Sequence, residues 1–525
     1  MHLKLLKNTA VIFLILSALN STVALADLAL SDAAASGDIN SIKILLGQGI
    51  AVDSALVDGS TALHSAVIQN QTEVVQALLQ AGASATAANR YGVTPLYLAA
   101  LNGNAKIAAE LIKAGSDPNA LTPTGETILM IAARTGTTDV LDLLLDAGAN
   151  LEVREAEFSQ TALMIAVREN SIAAISLLIE RGSDVNASTR IGQPPAFVKP
   201  CKGTGCGSEG VGINRGGLPD RGRRDSTKGG MTSLLYAARD GYADAAKLLI
   251  AAGANIEQAE ANAIRPLLMA LLNNQLDVAN QLLDAGASVN VDDFWGRTPL
   301  FAAVEYRNLD MNNRLQDAPT HNNVDREVVL PMIKRLLDAG ADVNARTREV
   351  PPPRKWLYSL NDVSWVDFTG ETAFLRAAYS GDTTTMKMLL EYGADPNLPT
   401  FAGTTPLMAA TGVNWVVAQT YTESMDALIA VIRICLEHGA DVNATNSMGL
   451  TALLGAVNKG ANDIIRVLVD EGARLDVVDA QGRTPHRWAE GVFLAAVGAE
   501  LKPNTIALLD ELIAAEKAKT AQDSN

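Results

Sequence analysis

Thr94-Pro95-Leu96-Tyr97-Leu98-Ala99-Ala100 is the stretch on which the reading of this chain turns. A Thr side chain accepts a backbone N–H and so opens a helix, and Pro fits the first helical position because no N–H is needed there. The Leu points inward, and the Ala pair lets two helices approach closely. The pattern returns as Thr61-Ala62-Leu63-His64 and Thr127-Ile128-Leu129-Met130, then near Thr161, Thr232, Arg265, Thr298, Thr372, Thr405, Thr451 and Thr484. The spacing is about 33 residues, and the three longer gaps of 71, 74 and 46 contain inserted residues.

A second block keeps the same phase. Gly followed by Ala and then Asn or Asp stands at Gly148-Ala149-Asn150, Gly253-Ala254-Asn255, Gly340-Ala341-Asp342 and Gly439-Ala440-Asp441. Between the blocks lie amphipathic runs such as Val140-Leu141-Asp142-Leu143-Leu144-Leu145, apolar at helical spacing. The Gly closes that helix in the left-handed conformation. One unit is a turn, a short helix, a longer helix and a loop. It cannot bury its apolar face alone, so the units must stack as a solenoid.

These residues resemble the ankyrin repeat family, on Thr94-Pro95-Leu96-Tyr97-Leu98-Ala99-Ala100 together with Gly340-Ala341-Asp342-Val343-Asn344. The resemblance runs over nearly all of residues 28 to 516. It implies an all-α solenoid of about twelve helix-turn-helix repeats with hairpin loops. It also implies a protein-binding module, read along a concave face of hairpins and short inner helices. Arg265 departs from the capping Thr, and the first unit, Leu28 to Val57, lacks the Thr-Pro-Leu block.

Residues 1–26 read as a secretory signal peptide: Lys4 and Lys7, an apolar run from Ala10 to Leu19, and Ala24-Leu25-Ala26 before Asp27. A retained anchor helix is the alternative. The expected location is the periplasm or outside the cell, with at most peripheral membrane contact. Residues 27–190 and 231–516 are the expected repeat blocks, around a Gly-rich insertion at 191–230. Further insertions fall near 307–328, 346–366 and 412–424, and 517–525 reads as a disordered tail.

The formal net charge is −16, and −18 without Lys4 and Lys7. An acidic body of this size argues against nucleic acid as a partner. The segment from Arg190 to Gly230 is the exception, with eight Lys or Arg against Glu209, Asp220 and Asp225. It reads either as an arm for an acidic partner or as a loop resting on the protein's own surface. Cys201 and Cys206 within it read as a local disulfide, with zinc as the rival that lacks further ligands. Gly205 to Gly210 matches G-x-G-x-x-G, but Pro-rich coil precedes it where a strand is required. Cys435 falls in the slot that Leu78 holds in an earlier helix and reads as a buried thiol.

Aromatic residues make up only 4% of the chain, yet four of its five Trp lie in loops or insertions. Trp295, Trp356, Trp365 and Trp415, with Phe294, Phe401, Tyr306 and Arg239, are therefore the candidate binding residues, since exposed aromatics with Arg are typical anchors. The competing reading is that these loops fold back over a local core. Nothing points to chemistry: no catalytic residues, metal ligands or cofactor motif stand out, and the His residues lack ligand spacing. His64 resembles the family's own His, bonded to the capping Thr. The expectation is a non-enzymatic interaction scaffold with a protein partner; the alternative is a small-ligand receptor or enzyme in a pocket walled by the later insertions.

Overall fold

The computed structural model describes residues 27–122, 124–193, 227–308, 326–349, 366–413, 424–492 and 500–523. It is helical, and the described residues form two compact units. One comprises the chain to Arg190 with Gly229–Asn255, the other Ile191–Lys228 with Ile256–Asn525. The repeat at 229–255 thus groups with the early repeats.

Each unit is a stack of antiparallel helix pairs. In the first, residues 27–36 pair with Ile39–Gly47, and the series continues through Ala62–Ile68 with Thr72–Gln80 to Ser233–Asp240 with Ala243–Ala251. The second runs from Pro266–Leu272 with Leu276–Asp284 to Pro485–Ala489 with Pro503–Asp523. Within a unit first helices pack on first helices and second on second. Twelve pairs result, as the repeat phase requires.

The local causes are those the repeat dictates. Thr94, Thr161, Thr232, Thr298, Thr372 and Thr405 each accept the backbone N–H three residues on. Arg265 supplies no such cap and instead lies 3.3 Å from Glu257. His64 is fully buried. Its Nδ1 accepts the Thr61 N–H at 3.1 Å, and its Nε2 donates to the Val93 carbonyl at 3.0 Å. Burial pushes its pKa down. Cys435 is a buried free thiol whose pKa burial pushes up to about 12.

Two expected boundaries change. The helix Pro503–Asp523 carries through residues 517–523, where a disordered tail was expected, because Ala, Lys and Gln there are strong helix formers. Residues 326–328, assigned to the second insertion, open the helix Arg326–Asp338.

A buried ionic cluster fixes both described ends around residues 309–325. Arg307 Nε donates to Asp382 Oδ2 at 2.9 Å and to Thr385 Oγ1 at 3.2 Å, and its NH1 donates to the Arg326 carbonyl. Arg326 returns a bond from Nε to the Arg307 carbonyl at 3.0 Å. Burial works to raise the Asp382 pKa, but Thr385 and Arg307 outweigh it and hold the carboxyl below its usual range. Removing one partner of a buried pair leaves an uncompensated charge, at a cost of about 3–5 kcal/mol. Arg307→Ala is therefore expected to lower the unfolding free energy by that much, with a lowered urea midpoint followed by circular dichroism. An unchanged midpoint would contradict the role assigned to the cluster.

Candidate partner-binding face

Hairpins link successive repeats, and each hairpin is braced by a polar side chain at its base. Asn89 Oδ1 accepts from Tyr91 and Val93, Asp293 Oδ1 from Trp295 and Arg297, and Asn446 Oδ1 from Met448 and Leu450. Single backbone bonds join neighbouring hairpins, as from Arg90 N to Asp58 O and Phe401 N to Thr369 O. Within each unit the hairpin tips therefore form a ridge with fixed register.

In the later unit, Phe294, Phe368 and Phe401 each stand four residues before the capping Thr. Phe294 is 39% and Phe401 55% exposed. Phe368 is half-buried, its ring edge-on to Tyr379 at 5.6 Å. The Arg346 guanidinium lies 4.3 Å from the Phe401 ring centroid, and its Nε donates to the Gly370 carbonyl. Such cation–π stacking holds both groups in place on the surface.

Trp295 corrects the reading of the tryptophans. It is 3% exposed and cannot serve as an exposed anchor. Its ring meets Phe294 edge-on at 5.5 Å and lies 5.3 Å from the Arg297 guanidinium, while its carbonyl accepts from Arg348 and Glu349. Arg297 in turn pairs with buried Asp293 at 2.7 Å. For Trp295 the packing alternative is the one realised. Tyr306 is half-buried on the first helix Pro299–Arg307. Arg239 is half-buried and paired with Asp240 at 2.8 and 2.7 Å. Trp356, Trp365, Trp415, Cys201 and Cys206 lie outside the described residues, as does the G-x-G-x-x-G stretch.

The two insertions that leave hairpins share one anchor. Thr189 N donates to Met231 O and its Oγ1 accepts Met231 N; Thr347 N donates to Glu371 O and its Oγ1 accepts Glu371 N. The next residue, Arg190 or Arg348, grips the preceding hairpin by N–H bonds to Phe158 O or Trp295 O. Repetition of Thr-Arg at the two insertion points was the signal in the sequence.

Several carboxylates are buried. Glu371, 9% exposed, has an Oε1 without a hydrogen-bond partner, and Arg376 has an equally unpartnered Nε. Burial pushes the Glu371 carboxyl up to about 7; Arg376 opposes the rise and the Glu305 charge adds to it. Among the described residues no group of three or more His, Cys, Asp or Glu is arranged to hold a metal.

Unit one carries a different array. Arg134, Arg168 and Arg239 each stand seven residues after a capping Thr, in consecutive repeats. Arg134 pairs with Glu126 and Arg239 with Asp240. Arg168 NH1 donates to Gln160 Oε1 at 3.0 Å, and Gln160 Nε2 donates to the Tyr236 hydroxyl at 2.9 Å. The Tyr236 ring lies 6.0 Å from the Arg168 guanidinium and 5.0 Å from that of Arg239. Of this column only Arg239 was singled out in the sequence; the shared phase of the three was the missed signal.

Stacked helical pairs, capped by Thr and joined by registered hairpins, define a helical repeat scaffold. Family profiles give it a name. The profile for ankyrin repeats in three copies matches residues 30–122, 107–189 and 234–327, and that for the single ankyrin repeat matches 369–401. Together they cover more than half of the 525 residues, and the chain belongs to the ankyrin repeat family. Ankyrin repeats generally mediate protein–protein interaction. No curated protein matches the chain. Among solved structures, the human ASB11 ankyrin repeat domain is 22% identical, with a TM-score of 0.38, over 49% of this chain and 98% of that one.

The raised Glu371 pKa carries a sign. The folded state favours the protonated form, so the group's contribution is fully present below its unfolded pKa of about 4.5 and is lost as pH rises through about 7. Glu371→Gln removes that loss. The substitution is expected to leave stability nearly unchanged at pH 4 and raise it by on the order of 3 kcal/mol at pH 8, in urea titrations at both pH values. Equal effects at the two pH values would contradict it.

Proposed function

We propose that this chain is an exported, non-enzymatic scaffold that binds a protein partner on the face formed by its hairpins and first helices. The observation that carries the reading is the residue choice on that face. Positions the core does not need hold Arg and Phe fixed by neighbours: Arg168 and Arg239 against the buried Tyr236, and Arg346 against Phe401. Side chains already held in place lose little freedom on binding, which favours affinity. In the later repeats the contact set includes Phe294, Tyr306 and Phe401, joined by Trp356, Trp365 and Trp415 from the insertions.

Export rests on the positive start, short apolar run and Ala24-Leu25-Ala26 of the first 26 residues. The mature chain then begins at Asp27 and acts in the cell envelope or beyond it. No helix among the described residues is long and apolar enough to cross a membrane.

A photo-crosslinking residue placed at Phe401 is expected to give a protein adduct in the native compartment. The same residue at Glu180, exposed at the end of the second helix Ile172–Glu180, is expected to give none. Adducts from Glu180 alone would move the site to the opposite face. Sequencing the isolated protein's N-terminus tests export: a start at Asp27 supports it, and a retained Met1 contradicts the cleavage.

A further inference from the structure

The chain is acidic overall, yet three first helices of unit one carry Arg at one repeat position. Two of these are neutralised within the fold, Arg134 by Glu126 and Arg239 by Asp240. Arg168 has no carboxylate partner among the described residues. Its side chain is nevertheless not loose. Gln160 takes NH1, and the Tyr236 ring lies beneath the guanidinium. Gln160 is itself fixed by its bond to the Tyr236 hydroxyl, which keeps its own proton to donate. Tyr236 is buried and Gln160 is buried, so this support is rigid, while Arg168 is exposed.

A guanidinium presents five donors in a planar fork, and charge-assisted bonds to a carboxylate are stronger than neutral ones. Here one donor is used to set the orientation, and the Arg168 side chain is otherwise exposed. The side-chain entropy of a long Arg, which weakens most exposed ion pairs, has already been lost. Arg239, 5.0 Å from the same ring, adds positive potential from the neighbouring repeat, tempered by Asp240. Glu126 and Glu169 both act on the Arg134 charge, and Glu169 directly follows Arg168, so the positive potential at Arg168 is tempered by that neighbour as well. A net charge of −16 makes long polyanions poor ligands, but screening over about 8 Å at physiological salt leaves a short acidic segment free to approach.

We propose that Arg168, oriented by Gln160 and Tyr236, is the recognition point for a carboxylate side chain in an acidic segment of a protein partner. This rests on the reading of the hairpin-and-first-helix face as the binding face, and adds the chemistry of what is bound in unit one.

The test uses the purified full chain and two labelled synthetic peptides, one of alternating Glu and Gly and one with Gln in place of every Glu. Fluorescence anisotropy at 0.15 M salt is expected to show the Glu peptide binding at least roughly tenfold tighter than the Gln peptide, the scale of one charge-assisted contact. Arg168→Gln is expected to abolish that difference. Arg168→Lys, which keeps the charge but not the fork, should retain part of it. Arg466→Gln, at an exposed pair with Glu511 in the other unit, serves as the control and should bind like the parent. The thermal melt of each variant is recorded beside its titration, since Arg168→Gln removes the donor to the buried Gln160 Oε1; a folded variant that has lost the discrimination is the expected result. Equal binding of the two peptides, no binding of either, or full discrimination by Arg168→Gln would overturn the proposal. Because the probes are synthetic, such a failure is distinct from failure of the partner-binding reading, which the crosslinks from Phe401 decide.

Discussion

One bidentate asparagine contact sets the step from repeat to repeat, and the stack depends on it. Asn119 Nδ2 donates to the Gly148 carbonyl at 3.0 Å while its Oδ1 accepts the Asn150 N–H at 2.8 Å. Asn344 does the same with Gly393 and Asp395, and Asn443 with Gly472 and Arg474. Each bond is exposed and worth about 1 kcal/mol at most, but stability in a solenoid is a sum over neighbours. The contact also explains why insertions are tolerated. Asn186 reaches Gly253 and Asn255 across the 194–226 segment, and Asn290 reaches Gly340 and Asp342 across 309–325. The loop lengthens while the step is unchanged, since closing a longer loop costs little extra entropy.

The repeat therefore has two kinds of position. Core slots are filled by Leu, Ile, Val and Ala with little variation. The slots facing out from hairpins and first helices vary, and they hold the ion pairs, the cation–π stacks and the exposed phenylalanines. Buried acids add a second theme. Asp293 and Asp382 are matched by Arg297 and Arg307, whereas Glu371 lacks a bond at Oε1 and opposes folding at neutral pH.

The phase of the repeat made the fold readable, because Thr caps, Ala pairs and Gly turns each have one structural use. His64 and Cys435 were readable for the same reason, through the slots they occupy. Trp295 was not. Its position outside the core slots suggested exposure, but Asp293, Arg297 and the next hairpin enclose it, and these contacts come from residues up to 54 positions away. Glu371 and Asp382 were also hidden, since burial of a carboxylate depends on neighbouring repeats and leaves no local mark. A disordered tail over 517–525 is the expectation, although the Ala, Glu and Lys content of Pro503–Asp523 favours the helix that forms. The arginine column of unit one was legible in phase but went unread, as it requires aligning repeats by position.

Hydrogen exchange of the free and partner-bound protein tests the central claim most directly. The account predicts slowed exchange in the hairpins and in first helices such as Ala162–Arg168, Ser233–Asp240 and Ala373–Ser380, with second helices such as Ile172–Glu180 and Thr383–Glu391 unchanged. Protection confined to the second helices would contradict it.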